Sequence, residues 1–128
     1  MVGQKTFLKG CSICEYLGDV DYVAGHFRVR KNPFLKGYFY IEAVSHVESW
    51  IGNSGDFFLD YSKCLEFCYQ EIQTFSIPPL KIYQVSIAEK VPHLHVHIIP
   101  RYQEECKGLA YIELALNNNL PEIMLPKF

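Results

Sequence analysis

Three histidines alternate with apolar residues in Val91-Pro92-His93-Leu94-His95-Val96-His97-Ile98-Ile99-Pro100-Arg101. A period of two belongs to a strand, so Leu94, Val96 and Ile98 form one face and the imidazoles the other, roughly 6–7 Å from one to the next. Imidazole serves as nucleophile, proton donor or metal ligand near neutral pH. The chain has only five histidines in 128 residues, and three on one strand face predict a reaction surface. The outer two lie roughly 13 Å apart along an extended strand, while zinc–nitrogen bonds are about 2 Å, so one ion cannot collect all three. The histidines therefore divide their labour. One or two serve a metal with ligands from elsewhere, and at least one is free for chemistry.

The rest of the composition sets bounds on that surface. A chain of 128 residues, 49% hydrophobic and 15% aromatic, suits one globular domain spanning residues 1–128. A formal charge of −2 and a pI near 6.2 leave no basic field for a nucleic-acid backbone. Neither a secretory leader nor a run of membrane-spanning length is legible, so a cytoplasmic protein with no membrane partner is expected. Five cysteines, an odd number, do not read as a disulfide framework. Cys11 and Cys14 form a C-x-x-C pair, which suggests zinc or redox chemistry. Cys64 and Cys68 sit one helical turn apart among Leu65, Phe67 and Tyr69, and are expected to be buried core thiols.

Phe27-Arg28-Val29-Arg30 alternates as a strand that Asn32-Pro33 breaks, and Gly37 to Val44 is a second, rich in aromatic and β-branched residues. Asn53-Ser54-Gly55-Asp56 looks like a helix start, and Phe57, Tyr61, Leu65, Cys68, Ile72 and Phe75 then recur at helical spacing until Pro78-Pro79. Residues 80–87 and 93–99 read as further strands, and about 107–117 as a short amphipathic helix. Strands interleaved with one long helix predict an α+β fold with a mostly antiparallel sheet, one long helix and a short C-terminal helix.

His93-Leu94-His95-Val96-His97-Ile98-Ile99 resembles the signature of the histidine triad family, in which three histidines alternate with apolar residues and two apolar residues follow. The flanking Val91-Pro92 and Pro100-Arg101 are similar to that family as well, and Gly37 to His46 resembles its second strand, which usually ends in a histidine before a helix. The resemblance implies an enzyme that attacks the α-phosphorus of a nucleotide conjugate with the middle histidine, His95. A covalent nucleotidyl-histidine would then be resolved by water or another acceptor, splitting one hard displacement into two easier ones. His97 would donate a hydrogen bond on the phosphate side. By the same resemblance the protein would be a homodimer without an organic cofactor.

A zinc-bearing branch of the family, and the related galactose-phosphate uridylyltransferases, bind zinc through a C-x-x-C pair, an intermediate histidine and the first signature histidine. The matching residues are Cys11, Cys14, His46 and His93, a set suited to a closed structural site. Ligand bonds would be about 2.3 Å to sulfur and 2.0–2.1 Å to nitrogen. His26 has no motif partner and is expected to be solvated.

Two segments depart from the family pattern. Similar proteins carry Asn-x-Gly and then Gly-Gln-Ser/Thr before the signature, whereas Ile82 to Lys90 contains no glycine. Glu89 and Lys90 stand at the usual Gln and Ser/Thr positions; Lys90 is expected to offer a donor to phosphate, and Glu89 to repel phosphate unless paired. Arg30-Lys31 replaces the acidic residue that often holds ribose hydroxyls, which suits a more anionic end of the substrate. These departures favour a second class of function, a nucleotide-binding or regulatory protein on the same fold with weak or no catalysis. A metallohydrolase using His95 and His97 as ligands is a third.

Overall fold

A computed structural model describes residues 6–128 of the chain. Its elements are β1 (Tyr22–Ala24), β2 (Phe27–Lys31), β3 (Phe39–Ala43), α1 (Asp56–Gln73), β4 (Lys81–Val85), β5 (His95–Arg101) and α2 (Gly108–Leu116), with a 3-10 turn at Glu122–Met124. The strands form one five-stranded sheet in the order β1-β2-β3-β5-β4, and every neighbouring pair is antiparallel. No helix among the described residues is long and apolar enough to cross a membrane.

Alternation in the strands sorts the two faces. Phe27, Val29, Phe39, Ile41, Val96 and Ile98 turn one way and pack with Phe57, Cys64, Cys68 and Ile72 of α1. Cys64 and Cys68 are fully buried in that layer, and burial pushes the Cys64 thiol up to about 11, so these thiols are packing groups as the sequence predicts. On the opposite face, α2 seats Tyr111 and Ala115 on Tyr38 and Ile99, with the Tyr111 hydroxyl donating to the Pro100 carbonyl.

Three local details differ from the sequence-based expectations. First, a short strand, β1, precedes the first expected one. It joins β2 through a two-residue hairpin loop whose first position, Gly25, has φ +53, the place where such loops want glycine. Second, His26 in that loop is not simply solvated. Its Nδ1 lies 2.7 Å from Asp60 Oδ2, and its backbone N–H donates to the same oxygen at 2.9 Å, pinning the hairpin to α1. Third, β5 starts at His95 rather than at His93. A tight backbone bond from His93 N–H to the Val91 carbonyl, at 2.8 Å, bends the chain just before the strand. His93 thus leaves the shared histidine face and is buried completely.

Candidate active site and metal centre

Two histidines remain on the sheet face that α2 partly covers. The antiparallel register sets His95 opposite Glu42 of β3, and His97 opposite Tyr40. Their rings lean together, with centroids 4.9 Å apart, closer than the strand repeat alone would give. Both line a cavity of about 520 Å³ between the loop at residues 87–91 and the Leu109, Ile112 and Leu116 side of α2. Lys90 and Glu89 line the same cavity, so the structure brings Lys90, His95 and His97 together. The size falls in the range of small-ligand sites, roughly 300–1,000 Å³.

Each ring is fixed through Nδ1. That of His95 lies 2.6 Å from the carbonyl oxygen of His93. A carbonyl only accepts, so His95 Nδ1 carries the hydrogen, and in the neutral ring Nε2 then keeps the lone pair. That of His97 lies 2.7 Å from the Tyr38 hydroxyl. Burial, and then the neighbouring His95, push His97 down to about 4, so it is neutral at ordinary pH.

Beside the histidines lies a charged network that sequence reasoning missed. Glu42 is 1% exposed. It accepts from Arg28 Nε at 3.0 Å and from Arg30 Nε at 2.8 Å, and Arg30 also reaches its second oxygen. Burial alone would raise the Glu42 carboxyl, but the two guanidinium groups outweigh it and hold the carboxyl below its ordinary value. Arg30 also lies over the Tyr16 ring, 4.0 Å from its centroid. Arg30 is thus already engaged, and Lys31 is 3.7 Å from Asp21, so neither residue is left as the free anion contact expected from sequence. The available signal was the alternation Arg28, Arg30 on one strand against a lone Glu42 on the next. Tyr38 gave no such signal.

The predicted metal ligands converge. One ligand atom from each of Cys11, Cys14, His46 and His93 lies within 4.8 Å of all the others. His93 Nδ1 is 3.5 Å from Cys11 Sγ and 3.4 Å from Cys14 Sγ, and His46 Nδ1 is 3.4 Å from Cys14 Sγ. An ion with tetrahedral bonds of zinc length imposes sulfur–nitrogen edges of about 3.5–3.6 Å. The outer nitrogens are also tied. His93 Nε2 donates to the Ala43 carbonyl at 2.7 Å, and His46 Nε2 lies 3.0 Å from the Glu48 carboxylate, so both rings turn Nδ1 inward. Backbone N–H groups of Leu8 and Cys14 point at the thiols of Cys14 and Cys11. A cluster of this composition and spacing can hold a metal ion.

No protein-family model matches the chain, and no curated protein does. Among solved structures, the fold is similar to that of a hypothetical protein from Leishmania major, with a TM-score of 0.60 and 16% identity over 84% of this chain and 88% of that one. It is also similar to a member of the HIT family of proteins from Bacillus subtilis, with a TM-score of 0.57 and 17% identity over 88% of this chain and 96% of that one. The chain thus shares its fold with these two structures, one of them a HIT family member.

Proposed function

We propose that the protein is a nucleotide-conjugate hydrolase or nucleotidyl transferase that works through a covalent intermediate on His95. The observation that carries this reading is the bond from His95 Nδ1–H to the His93 carbonyl, which makes Nε2 the lone-pair nitrogen of the neutral ring beside the cavity. In the first step a bond forms from Nε2 to the α-phosphorus. The phosphorus bond to the leaving group breaks, and that group departs with its electron pair and takes a proton from solvent. Water then attacks phosphorus, the nitrogen–phosphorus bond breaks, and the water's proton goes to solvent. His97 donates to a non-bridging oxygen, where charge builds up, and Lys90 at the cavity wall attracts the phosphate. The HIT-family structural likeness supports a nucleotide-related substrate.

The metal in this reading is zinc, held by Cys11, Cys14, His46 and His93, and its role is structural. The ligands come from the N-terminal turn, the segment after β3 and the approach to β5, and a closed four-ligand site has no position for substrate. The reading also includes a homodimer, which the family resemblance implies, and a cytoplasmic location.

A binding or regulatory role without turnover is the second reading. It draws on Glu89 at the cavity wall and on the Arg28–Glu42–Arg30 network beside the site. Incubation with a nucleoside phosphoramidate, a dinucleoside polyphosphate and a nucleotide sugar separates the two. An enzyme gives turnover and a nucleotidyl mass on the peptide containing His95, and His95→Ala abolishes both. Turnover that survives in His95→Ala would overturn the covalent mechanism, and binding without turnover or adduct would favour the second reading.

A further inference from the structure

The Tyr38 hydroxyl makes its short hydrogen bond, 2.7 Å, with Nδ1 of His97, and the Tyr40 hydroxyl is a more distant polar neighbour. Tyr38 is 2% exposed, so its phenolic hydrogen has no bulk water to turn to. If His97 Nδ1 carried the hydrogen and donated it to the phenol oxygen, the buried O–H would have to turn to the more distant Tyr40 hydroxyl, which already accepts from Asn32 Nδ2. Reversing the bond removes that demand. The O–H donates to a lone pair on Nδ1, and a neutral imidazole with its lone pair there carries its hydrogen on Nε2. Both protonation states agree with this arrangement. Burial raises the Tyr38 phenol well above its ordinary value, and His97 is neutral for the reasons given above.

We propose that Tyr38 is a positioning residue that selects the tautomer of His97, so that His97 presents Nε2–H to an anion bound beside His95. Two residues apart on one strand, two identical side chains then have opposite polarity. A carbonyl at Nδ1 makes His95 an electron-pair donor at Nε2, and a hydroxyl at Nδ1 makes His97 a hydrogen donor at Nε2. An attacking nitrogen and an N–H for the oxygen that gains charge are what displacement at phosphorus needs, and the rings sit 4.9 Å apart. Tyr40 packs its ring edge-on against His97 at 5.5 Å, which limits the ring's freedom to turn over. The identity of the anion rests on the function proposed above; the tautomer does not.

The test is nitrogen-15 NMR of imidazole-labelled protein near neutral pH, with Tyr38→Phe alongside. The wild type should show His95 protonated on Nδ1 and His97 on Nε2. In Tyr38→Phe the hydrogen of His97 should redistribute toward Nδ1 while His95 is unchanged. With a nucleoside phosphoramidate, kcat should fall about tenfold or more while KM stays within about threefold, as when one transition-state donor is weakened. Wild-type His97 protonated on Nδ1 would overturn the proposal, and so would an unaltered tautomer in folded Tyr38→Phe. An altered tautomer with unchanged kcat would remove the donor's part in turnover. Should Tyr38→Phe not fold, the wild-type spectrum decides alone. A wild type that turns over no conjugate fails the proposed function, while the spectra still decide the role of Tyr38.

Discussion

Glu42 is paired directly across the sheet from His95, yet its carboxylate is committed to Arg28 and Arg30 on its other side. The nucleophile candidate therefore stands beside a buried triad of two positive charges and one negative. Neutralising the carboxylate leaves two guanidinium groups facing each other without a counter-charge. Glu42→Gln should lower stability by about 3 kcal/mol or more, the usual cost of breaking a buried ion pair from one side. Urea denaturation at neutral pH checks this, and a loss under about 1 kcal/mol, ordinary for an exposed pair, would contradict it.

Cys14 contacts both His46 and His93 across the cluster. Cys14→Ser should release the metal, because an unfolded chain offers no preformed site and binding free energy is folding free energy. Metal analysis of protein purified without chelator should find about one zinc per wild-type chain and none in the variant. The variant should melt about 10 °C lower or more, which for this size is about 2–3 kcal/mol. Wild type without metal would overturn the zinc assignment.

His97 gives a pH signature with a definite sign. It is held neutral with a value of about 4, whereas in the unfolded chain it takes up a proton near 6.5. Between those values the unfolded state binds more protons, so stability is complete above roughly pH 6.5 and falls as pH drops toward 4. At pH 4.5 the loss traceable to His97 should be about 2 kcal/mol. Comparing urea midpoints of wild type and His97→Gln at pH 7 and 4.5 isolates it, since groups that titrate in both cancel. Equal acid losses in the two proteins would refute the assignment.

A Cβ on Gly25 would run into the Asp60 carboxylate, and the backbone there has φ +53. Gly25→Ala should therefore cost about 1–2 kcal/mol from the left-handed backbone alone. It should cost more than that, because it also displaces the acceptor of two His26 bonds. Thermal melts of Gly25→Ala and Asp60→Asn, separately and combined, should give less than the sum of the two losses. Strict additivity would show that the hairpin and α1 are not joined there.

Period-two patterning made β2, β3 and most of β5 legible, because each buries a face in the core, and β4 as well, although its residues are at most half-buried. The spacing from Phe57 to Ile72 did the same for α1. The pattern misled at His93, where the alternation starts in the sequence before the strand does. Bends of that kind depend on tertiary partners, here the Ala43 carbonyl and the cysteine turn. The four predicted metal ligands converge in space; the spacing of Cys11 and Cys14 was legible by itself, whereas His46 and His93 entered the set only through the family resemblance. Glu42 and Tyr38 were not anticipated. A carboxylate in an apolar strand and a tyrosine before it acquire meaning only from residues 12 to 59 positions away, a separation that no local pattern reports.

His93 joins two centres with two different parts of itself. Its imidazole faces the cysteines, and its main-chain carbonyl holds the Nδ1 hydrogen of His95. Every amino acid has that carbonyl, and only a few have a ligand ring. The two duties are therefore separable in descent. A lineage can exchange the side chain at 93, abandon the other three ligands and lose the ion, and still keep an armed His95, provided the bend before β5 survives by other packing. The converse loss is harder, because straightening that bend withdraws the carbonyl and the ring together.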